Sequence, residues 1–455
     1  MDLSKIKKIH HIGIGGIGVS AIARLLMELG KEVTGSDLVP SEIISQLESK
    51  GAAIKIGRHS DHHISEGVDL VIHTSAIDDN NPEYKKAVEL GIPTWSYPKF
   101  LGDMMKGYLP IIVAGTHGKS TTTAMLASIF ISAGLDPTVV LGANMKSIGG
   151  NAHLGLGKYF IAEGDEFREA FLNYQPVSVI INNIEADHLD YYKNVEKVIG
   201  AFNKFVKQVP RGGFIVAKAA DKNVKKSLKN SQGKIITFGI EVGDYYASNI
   251  VHYGELTRFT VRGLETFNLA LRVPGEHNVL NAMAAAVMSI TFGIDLEDIK
   301  EGLLKFQGIQ RRFEIKGRKN NIIVVDDYAH HPTEIKVTLK TAREYFPKRK
   351  IWCVFQPHST HRTKSLFDDF ITSFGDCDKL ILTDVYLVPG RESEERIIID
   401  KLKKAISKQG VDIEFVSTLP KVEKHLLKNV SSGDVVITMG AGTITSISDS
   451  LLDKL

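Results

Sequence analysis

The chain has 455 residues, 43% hydrophobic and 24% charged with 14 prolines, which excludes a disordered chain and leaves room for about three globular domains. Its 56 basic and 53 acidic residues give a formal net charge of +3 with no basic cluster, which argues against a nucleic-acid or membrane-surface partner and for small anionic ligands. Two cysteines, Cys353 and Cys377, are too few for a disulfide framework or a cysteine metal site and fit the reducing cytoplasm.

At the N-terminus, Lys5, Lys7 and Lys8 precede an apolar stretch as in a signal peptide, but His10, His11, the glycines after them and Arg24 interrupt it. The segment reads instead as a strand over Ile9 to Ile14 and a helix over Ser20 to Leu29, followed by strands at Glu32 to Ser36 and Val68 to Thr74. No run of about 18 apolar residues follows anywhere, so no transmembrane helix is expected. This βαβ rhythm predicts a parallel, Rossmann-like sheet over residues 1–108. Between the first strand and helix, Gly13-Ile-Gly15-Gly16-Ile17-Gly18 matches G-x-G-x-x-G, with Asp37 19 residues past the last glycine. Such a turn suits the diphosphate of a dinucleotide or of a nucleotide sugar, and equally a tight βα turn that binds nothing. Ser36 and Asp37 would then either reach a ribose or sugar hydroxyl or merely end a strand.

A second unit, residues 109–314, opens on the apolar strand Leu109 to Ala114. Gly115-Thr116-His117-Gly118-Lys119-Ser120 follows it, and Thr121 to Ala133 has helical spacing. A loop so placed puts backbone N–H groups and the positive end of a helix dipole toward a polyphosphate. Lys119 can reach its terminal phosphates and the Ser120 hydroxyl can bind magnesium. The general G-x-x-x-x-G-K-[ST] pattern would want glycine at Val113. Further strands are expected at Tyr159 to Glu163 and Val177 to Asn182, with Asp165 and Glu166 after the first and Glu185-Ala-Asp-His188-Leu-Asp-Tyr191 after the second. Glu163 and His188, at strand ends, could face the loop and hold phosphate-bound metal, or could form a surface turn with a hydrogen-bonded histidine. In the helix Asn278 to Thr291, Asn278 and Asn281 share a face for a nucleobase, or cap the helix. Gly308 to Glu314 reads as a linker.

The third unit, residues 315–455, carries strands at Ile322 to Asp326, Ile351 to Phe355, Lys379 to Thr383 and Asp434 to Thr438. Asp326-Asp327-Tyr328-Ala-His330-His331-Pro332 starts a helix after the first, and Phe355-Gln-Pro-His358-Ser-Thr-His361-Arg362 does so after the second. Two polar loops at adjacent strand ends would make one wall of a cleft. The histidine pairs lack zinc-binding spacing with carboxylate support. The expected fold class is therefore α/β in three tandem domains: a Rossmann-like sheet, a central P-loop ATPase-like domain and a Rossmann-like C-terminal domain.

Gly115-Thr-His-Gly-Lys-Ser120, Glu163, Glu185 to Tyr191, His277-Asn-Val-Leu-Asn281, Arg311-Arg312-Phe-Glu314, Asp326 to Pro332 and Phe355 to His358 together resemble the Mur ligases, in order and over essentially the whole chain. That family's loop has the shorter G-T-x-G-K-[ST] form, which accounts for Val113. The resemblance implies ATP-driven amide formation in peptidoglycan precursor synthesis. The lactyl carboxylate of UDP-N-acetylmuramate would become an acyl phosphate, and the amine of L-alanine would displace phosphate; a murein tripeptide is the alternative acceptor. It implies ATP and Mg2+ as cofactors, small-molecule partners, a cytoplasmic location, and is compatible with a homo-oligomer.

Residue by residue, the resemblance places Gly115, Thr116, His117, Gly118, Lys119, Ser120 and Thr121 on the phosphates. It places His277, Asn278, Asn281, Arg312 and Asp327 on the rest of ATP, and Ser120, Glu163 and His188 on magnesium. Gly15, Gly16, Ile17, Asp37 and Ser75 would hold the UDP sugar. Lys119, His188, His331 and Arg362 would act in catalysis, with Tyr328 beside His331. Ser359 stands where many members carry a basic residue, leaving Arg362 to meet the amino-acid carboxylate. The stretch Leu387 to Glu392 also departs from the family's usual form.

Overall fold

Short apolar strands can pair in parallel only if a crossover returns the chain to the same sheet edge, and this requirement shapes most of the chain. The computed structural model describes residues 2–253, 256–386 and 397–455, so Leu387 to Glu392 lies outside the described residues. The N-terminal sheet comprises β1 (Lys8–Ile12), β2 (Glu32–Asp37), β3 (Ala53–Ile56), β4 (Leu70–His73) and β5 (Thr94–Ser96) in the order β3-β2-β1-β4-β5, all pairs parallel. Strand order reverses between β1 and β4, where doubly wound sheets open a crevice at their carboxyl ends. The glycine turn lies there. The helix expected from Ser20 starts at Ile17, because Gly16 is extended and already serves as its N-cap.

The central sheet has ten strands: β6 (Leu109–Ala114), β7 (Thr138–Met145), β8 (Gly150–His153), β9 (Tyr159–Gly164), β10 (Ser178–Ile181), β11 (Phe214–Lys218), β12 (Lys234–Ile240), β13 (Tyr245–Tyr253), β14 (Leu256–Arg262) and β15 (Phe267–Leu271). Their order is β15-β14-β13-β12-β11-β10-β6-β9-β7-β8. The P-loop strand β6 is thus flanked by β9 and β10, with Val113 beside Glu163 and Ala114 beside Ile181. The helix after it, Lys119–Ser132, is buried from Ser120 through Phe130, so its sequence shows little amphipathic contrast.

The C-terminal sheet holds β16 (Glu314–Lys319), β17 (Ile322–Asp327), β18 (Ile351–Phe355), β19 (Lys379–Leu382), β20 (Ile413–Phe415) and β21 (Val435–Met439) in the order β16-β17-β21-β18-β19-β20. Only β16 runs antiparallel to its neighbour among the pairs of this sheet. Alternate residues feed two apolar layers. Ile323, Val325, Cys353, Phe355 and Ile437 enter one, and Ile322, Val324, Trp352, Val354 and Val436 the other. Burial on both faces explains why these strands read as continuous apolar runs. The polar loops after β17 and β18 are not on adjacent strands as expected, since β21 lies between them.

The chain groups into two compact units, Met1–Asn249 with Phe259–Leu269 and Leu280–Phe306, and Ile250–Arg258 with Ala270–Val279 and Gln307–Leu455. Among the described residues, no helix is long and apolar enough to cross a membrane.

Candidate active site

In the first unit, the carboxyl ends of β9, β6 and β10 converge on the loop Gly115 to Ser120. Gly118 takes the left-handed conformation (φ 79°) at the N-cap of the following helix, and a Cβ there would lie 2.5 Å from the Asn281 Oδ1. Only glycine meets both demands at low cost. The segment after β10 splints the loop from outside. Thr116 N–H donates to the Asn183 carbonyl (3.0 Å), His117 N–H to Asn183 Oδ1 (2.8 Å), and Glu185 N–H to Thr116 Oγ1 (2.9 Å). From behind, Asn182 Nδ2 donates to Thr122 Oγ1 (3.0 Å), whose hydroxyl donates to Asn281 Oδ1 (3.2 Å). Asn281 therefore buttresses the loop helix. Asn278 is bonded to its own helix entry, donating from Nδ2 to the Pro274 carbonyl (2.7 Å).

Ser120 Oγ donates to Glu163 Oε2 (3.0 Å), and Gly142 N–H donates to the other oxygen of that carboxylate. A hydroxyl and a carboxylate in contact beside a phosphate loop are hard oxygen donors suited to magnesium. His188, with a left-handed backbone (φ 52°), holds its ring tilted against that of Phe167, 4.8 Å between centroids. His117 Nε2 lies 3.5 Å from a Glu185 oxygen. Lys119 Nζ donates to the Gly115 carbonyl (2.6 Å), the Thr116 carbonyl (3.2 Å) and Glu166 Oε2 (2.9 Å). Burial alone would push this ammonium down, but Glu166, Asp165 and Glu163 outweigh it and hold Lys119 above the usual lysine value. Glu166 had no assigned role in the sequence; its acidic neighbours in Glu163-Gly-Asp-Glu166 were the available signal.

In the N-terminal sheet of the same unit, Asp37 Oδ2 accepts from Gly15 N–H (2.8 Å), so its carboxylate shapes the glycine turn. A Cβ on Gly15 would lie 2.9 Å from that oxygen. Gly16 caps the helix that begins at Ile17, giving the turn a free helix N-terminus of the kind diphosphates use. The Ser75 carbonyl accepts from Arg168 Nη1 (3.0 Å), and Asn151 Nδ2 donates to the Ile17 carbonyl (2.7 Å). A cluster missed in the sequence lies behind the turn. Buried Glu83 accepts from His10 Nε2 (2.8 Å), Ser36 Oγ (2.7 Å), His59 Nδ1 (2.7 Å) and His63 Nδ1 (2.9 Å). These four partners come from three separate segments, so spacing could not reveal them.

The second unit carries the other expected residues. Asp327 accepts from Phe313 N–H and Ala329 N–H (both 2.7 Å), and burial pushes its carboxyl up to about 6 against the Arg312 charge. Arg311 and Arg312 hold their guanidiniums 4.9 and 5.2 Å from the Tyr328 ring centroid. His331 is the N-cap of the helix Pro332–Tyr345, its Nδ1 accepting from Thr333 N–H (3.3 Å) while Glu334 completes a capping box. Burial, then the Arg312 charge, press His277 down to about 4. His330 and His358 bring their rings within 5.9 Å, so the two polar loops meet although β21 separates their strands. Ser359 has a left-handed backbone (φ 68°) before the short helix Thr360–Ser365 that carries Arg362.

Residues 8–109 match the Mur ligase family catalytic domain, residues 113–289 the Mur ligase middle domain, and residues 311–442 the Mur ligase glutamate ligase domain. The chain is 44% identical to the UDP-N-acetylmuramate–L-alanine ligase of Clostridium kluyveri over 100% of this chain and 99% of that one. The enzyme of the same name from Acetivibrio thermocellus is also 44% identical, over 99% and 97%. Among solved structures, the UDP-N-acetylmuramate-alanine ligase of Thermotoga maritima superposes with a TM-score of 0.86 at 33% identity, covering 98% of both chains. A murein peptide ligase from Psychrobacter arcticus gives 0.75 at 28%, again covering 98% of both. With three domain matches in tandem and full-length relatives at this identity, the chain belongs to the Mur ligase family.

Proposed function

We propose that this chain is an ATP-dependent ligase that joins the lactyl carboxylate of UDP-N-acetylmuramate to L-alanine, in the cytoplasmic synthesis of peptidoglycan precursors. Residues 1–108 hold the sugar nucleotide, 109–314 the ATP, and 315–455 the amino acid. The observation that carries the chemistry is the Ser120–Glu163 pair, 3.0 Å apart, beside Lys119 at a helix N-terminus. A carboxylate is a poor electrophile; its oxygen attacks the γ-phosphorus of ATP, the bond to the β-γ bridging oxygen breaks and ADP leaves, giving an acyl phosphate with a competent leaving group. The alanine amine then attacks the acyl carbon and inorganic phosphate departs. The protein supplies positioning and charge neutralisation. Lys119 and the loop amides balance the phosphate charge. Ser120, Glu163 and His188 would hold Mg2+, which when bound would offset phosphate charge.

On the sugar-nucleotide side, the Gly15–Gly16–Ile17 turn offers helix N–H groups to the diphosphate. Asp37 keeps the turn in shape, and the Ser75 loop lies alongside. In the second unit, Arg362 is the candidate for the amino-acid carboxylate, and His277, Asn278, Arg312 and Asp327 remain candidates for nucleotide contacts. Alanine is favoured over tripeptide as the acceptor by the full-length relatives at 44% identity, against 28% for the murein peptide ligase. Phosphate release from ATP is expected only when UDP-N-acetylmuramate and L-alanine are both present. Release that needs the tripeptide would make the chain a recycling ligase, and no release under either condition would remove the ligase reading.

A further inference from the structure

The Lys119 ammonium has three N–H donors, and in this structure three acceptors take them: two carbonyls of its own loop and the Glu166 carboxylate. A phosphate oxygen can reach Nζ in this arrangement only by replacing one of the three. The carbonyls of Gly115 and Thr116 belong to the loop itself, whereas Glu166 comes from the turn after β9. The carboxylate is the exchangeable partner.

That turn is built to aim Glu166 inward. Its side chain is 3% exposed, and its backbone carbonyl accepts from Glu169 N–H (2.9 Å) and from the Tyr192 hydroxyl. Asp165 accepts from Phe167 N–H (3.0 Å) through its side chain and from Phe171 N–H (3.0 Å) through its carbonyl. Arg168 and Glu169 are both left-handed, at φ 52° and 56°, a strained conformation for non-glycine residues. A turn of ordinary geometry would avoid that strain. Burial pushes the Glu166 carboxyl up and the Lys119 charge offsets part of the effect, so each group is the other's compensation inside a closed site.

We propose that Glu166 is a positioning residue: it holds the Lys119 ammonium against the phosphate loop and yields that place to a phosphate oxygen when a nucleotide binds. The inference rests on the P-loop of the proposed ligase binding ATP. Nothing covalent changes; one charge-assisted hydrogen bond is exchanged for another, with the two carbonyl bonds kept. Because the carboxylate competes with phosphate for the same ammonium, it lowers nucleotide affinity.

The test is equilibrium binding of ADP and ATP to the full chain by calorimetry, in a double-mutant cycle of Glu166→Gln and Lys119→Met. Glu166→Gln is expected to tighten binding about 3- to 10-fold in the parent chain and less than about 2-fold beside Lys119→Met. Equal tightening in both backgrounds would mean plain repulsion of the polyanion and would overturn the proposal. Unchanged or weaker binding would also overturn it, the latter pointing to a metal-holding role. Should Glu166→Gln not fold, Glu166→Asp withdraws the carboxylate by one methylene, keeps the overall charge and reads the same exchange with the same signs. A parent chain that binds neither nucleotide would fail the ligase reading itself, whereas binding without the lysine-dependent tightening would fail only this inference.

Discussion

Lys119 is the residue on which most of the local charge converges, with Glu166, Asp165 and Glu163 all acting on one half-buried ammonium. Its removal leaves Glu166 without its ion-pair partner and the phosphates without their nearest cation. Lys119→Ala is therefore expected to lower kcat/KM by about 10³-fold or more, roughly 4 kcal/mol of transition-state stabilisation, measured by coupled phosphate release. Residual activity within tenfold of the parent would take the lysine out of the mechanism. His277 gives a pH prediction. Its folded pKa is depressed from 6.5 to about 4 by burial and by Arg312, so the neutral ring is favoured in the fold. Stability from this term is fully present above pH 6.5, is lost as pH falls toward 4, and levels off below. Relative to His277→Gln, the parent chain should lose about 2 kcal/mol of urea unfolding free energy between pH 7 and 4, allowing for partial exposure of the ring. Parallel pH curves for the two chains would show that the ring titrates normally.

At the level of elements, what the sequence reveals depends on whether a signal is local. The strands β6, β17 and β18 were legible because burial on both faces makes them largely apolar runs. The phosphate loop was legible because all of its parts are contiguous. β3, β5, β7, β8, the run from β11 to β16 and β20 were not read: β3 and β5 are short and β3 has no buried residue, while β14 and β15 do alternate buried and open positions and that alternation was passed over. The splint on the loop from Asn182 and Asn183, and the four donors around Glu83, depend on which strands become neighbours, which no spacing encodes. His331 shows a different limit: the sequence placed Pro332 at a helix start, yet the histidine before it was read for chemistry and not as the cap. Capping by His331 makes a separable prediction. His331→Asn retains a side-chain acceptor at the N-cap and should keep the melting temperature near that of the parent, while His331→Ala should cost about 1 kcal/mol. Equal losses in both would mean that the ring stabilises the fold by something other than the cap, and activity lost in His331→Asn at full stability would assign the ring to the reaction.

Across the whole molecule, the two glycine turns of the first unit proposed to bind anions are built differently, and this makes their ligands separable. The loop at Gly115 to Ser120 carries a half-buried lysine, whereas the turn at Gly13 to Gly18 offers backbone groups braced by Asp37. Any ligand that binds only the folded chain raises its stability by mass action, about 2.7 kcal/mol at a hundredfold excess over Kd. For a chain of this size that corresponds to roughly 2–4 °C in melting temperature. ATP with Mg2+ and UDP-N-acetylmuramate should each produce such a shift in the parent chain. In Lys119→Ala the ATP shift should largely vanish, because the cation facing the phosphates is gone, while the sugar-nucleotide shift should persist, because no part of its turn has changed. If the substitution abolished both shifts, the glycine turn would not be an independent diphosphate site, and the sugar nucleotide would have to be held by the P-loop region as well. If it abolished neither, the ATP phosphates would be bound away from Lys119, and the assignment of the loop would have to be withdrawn before any step of the transfer could be placed on it.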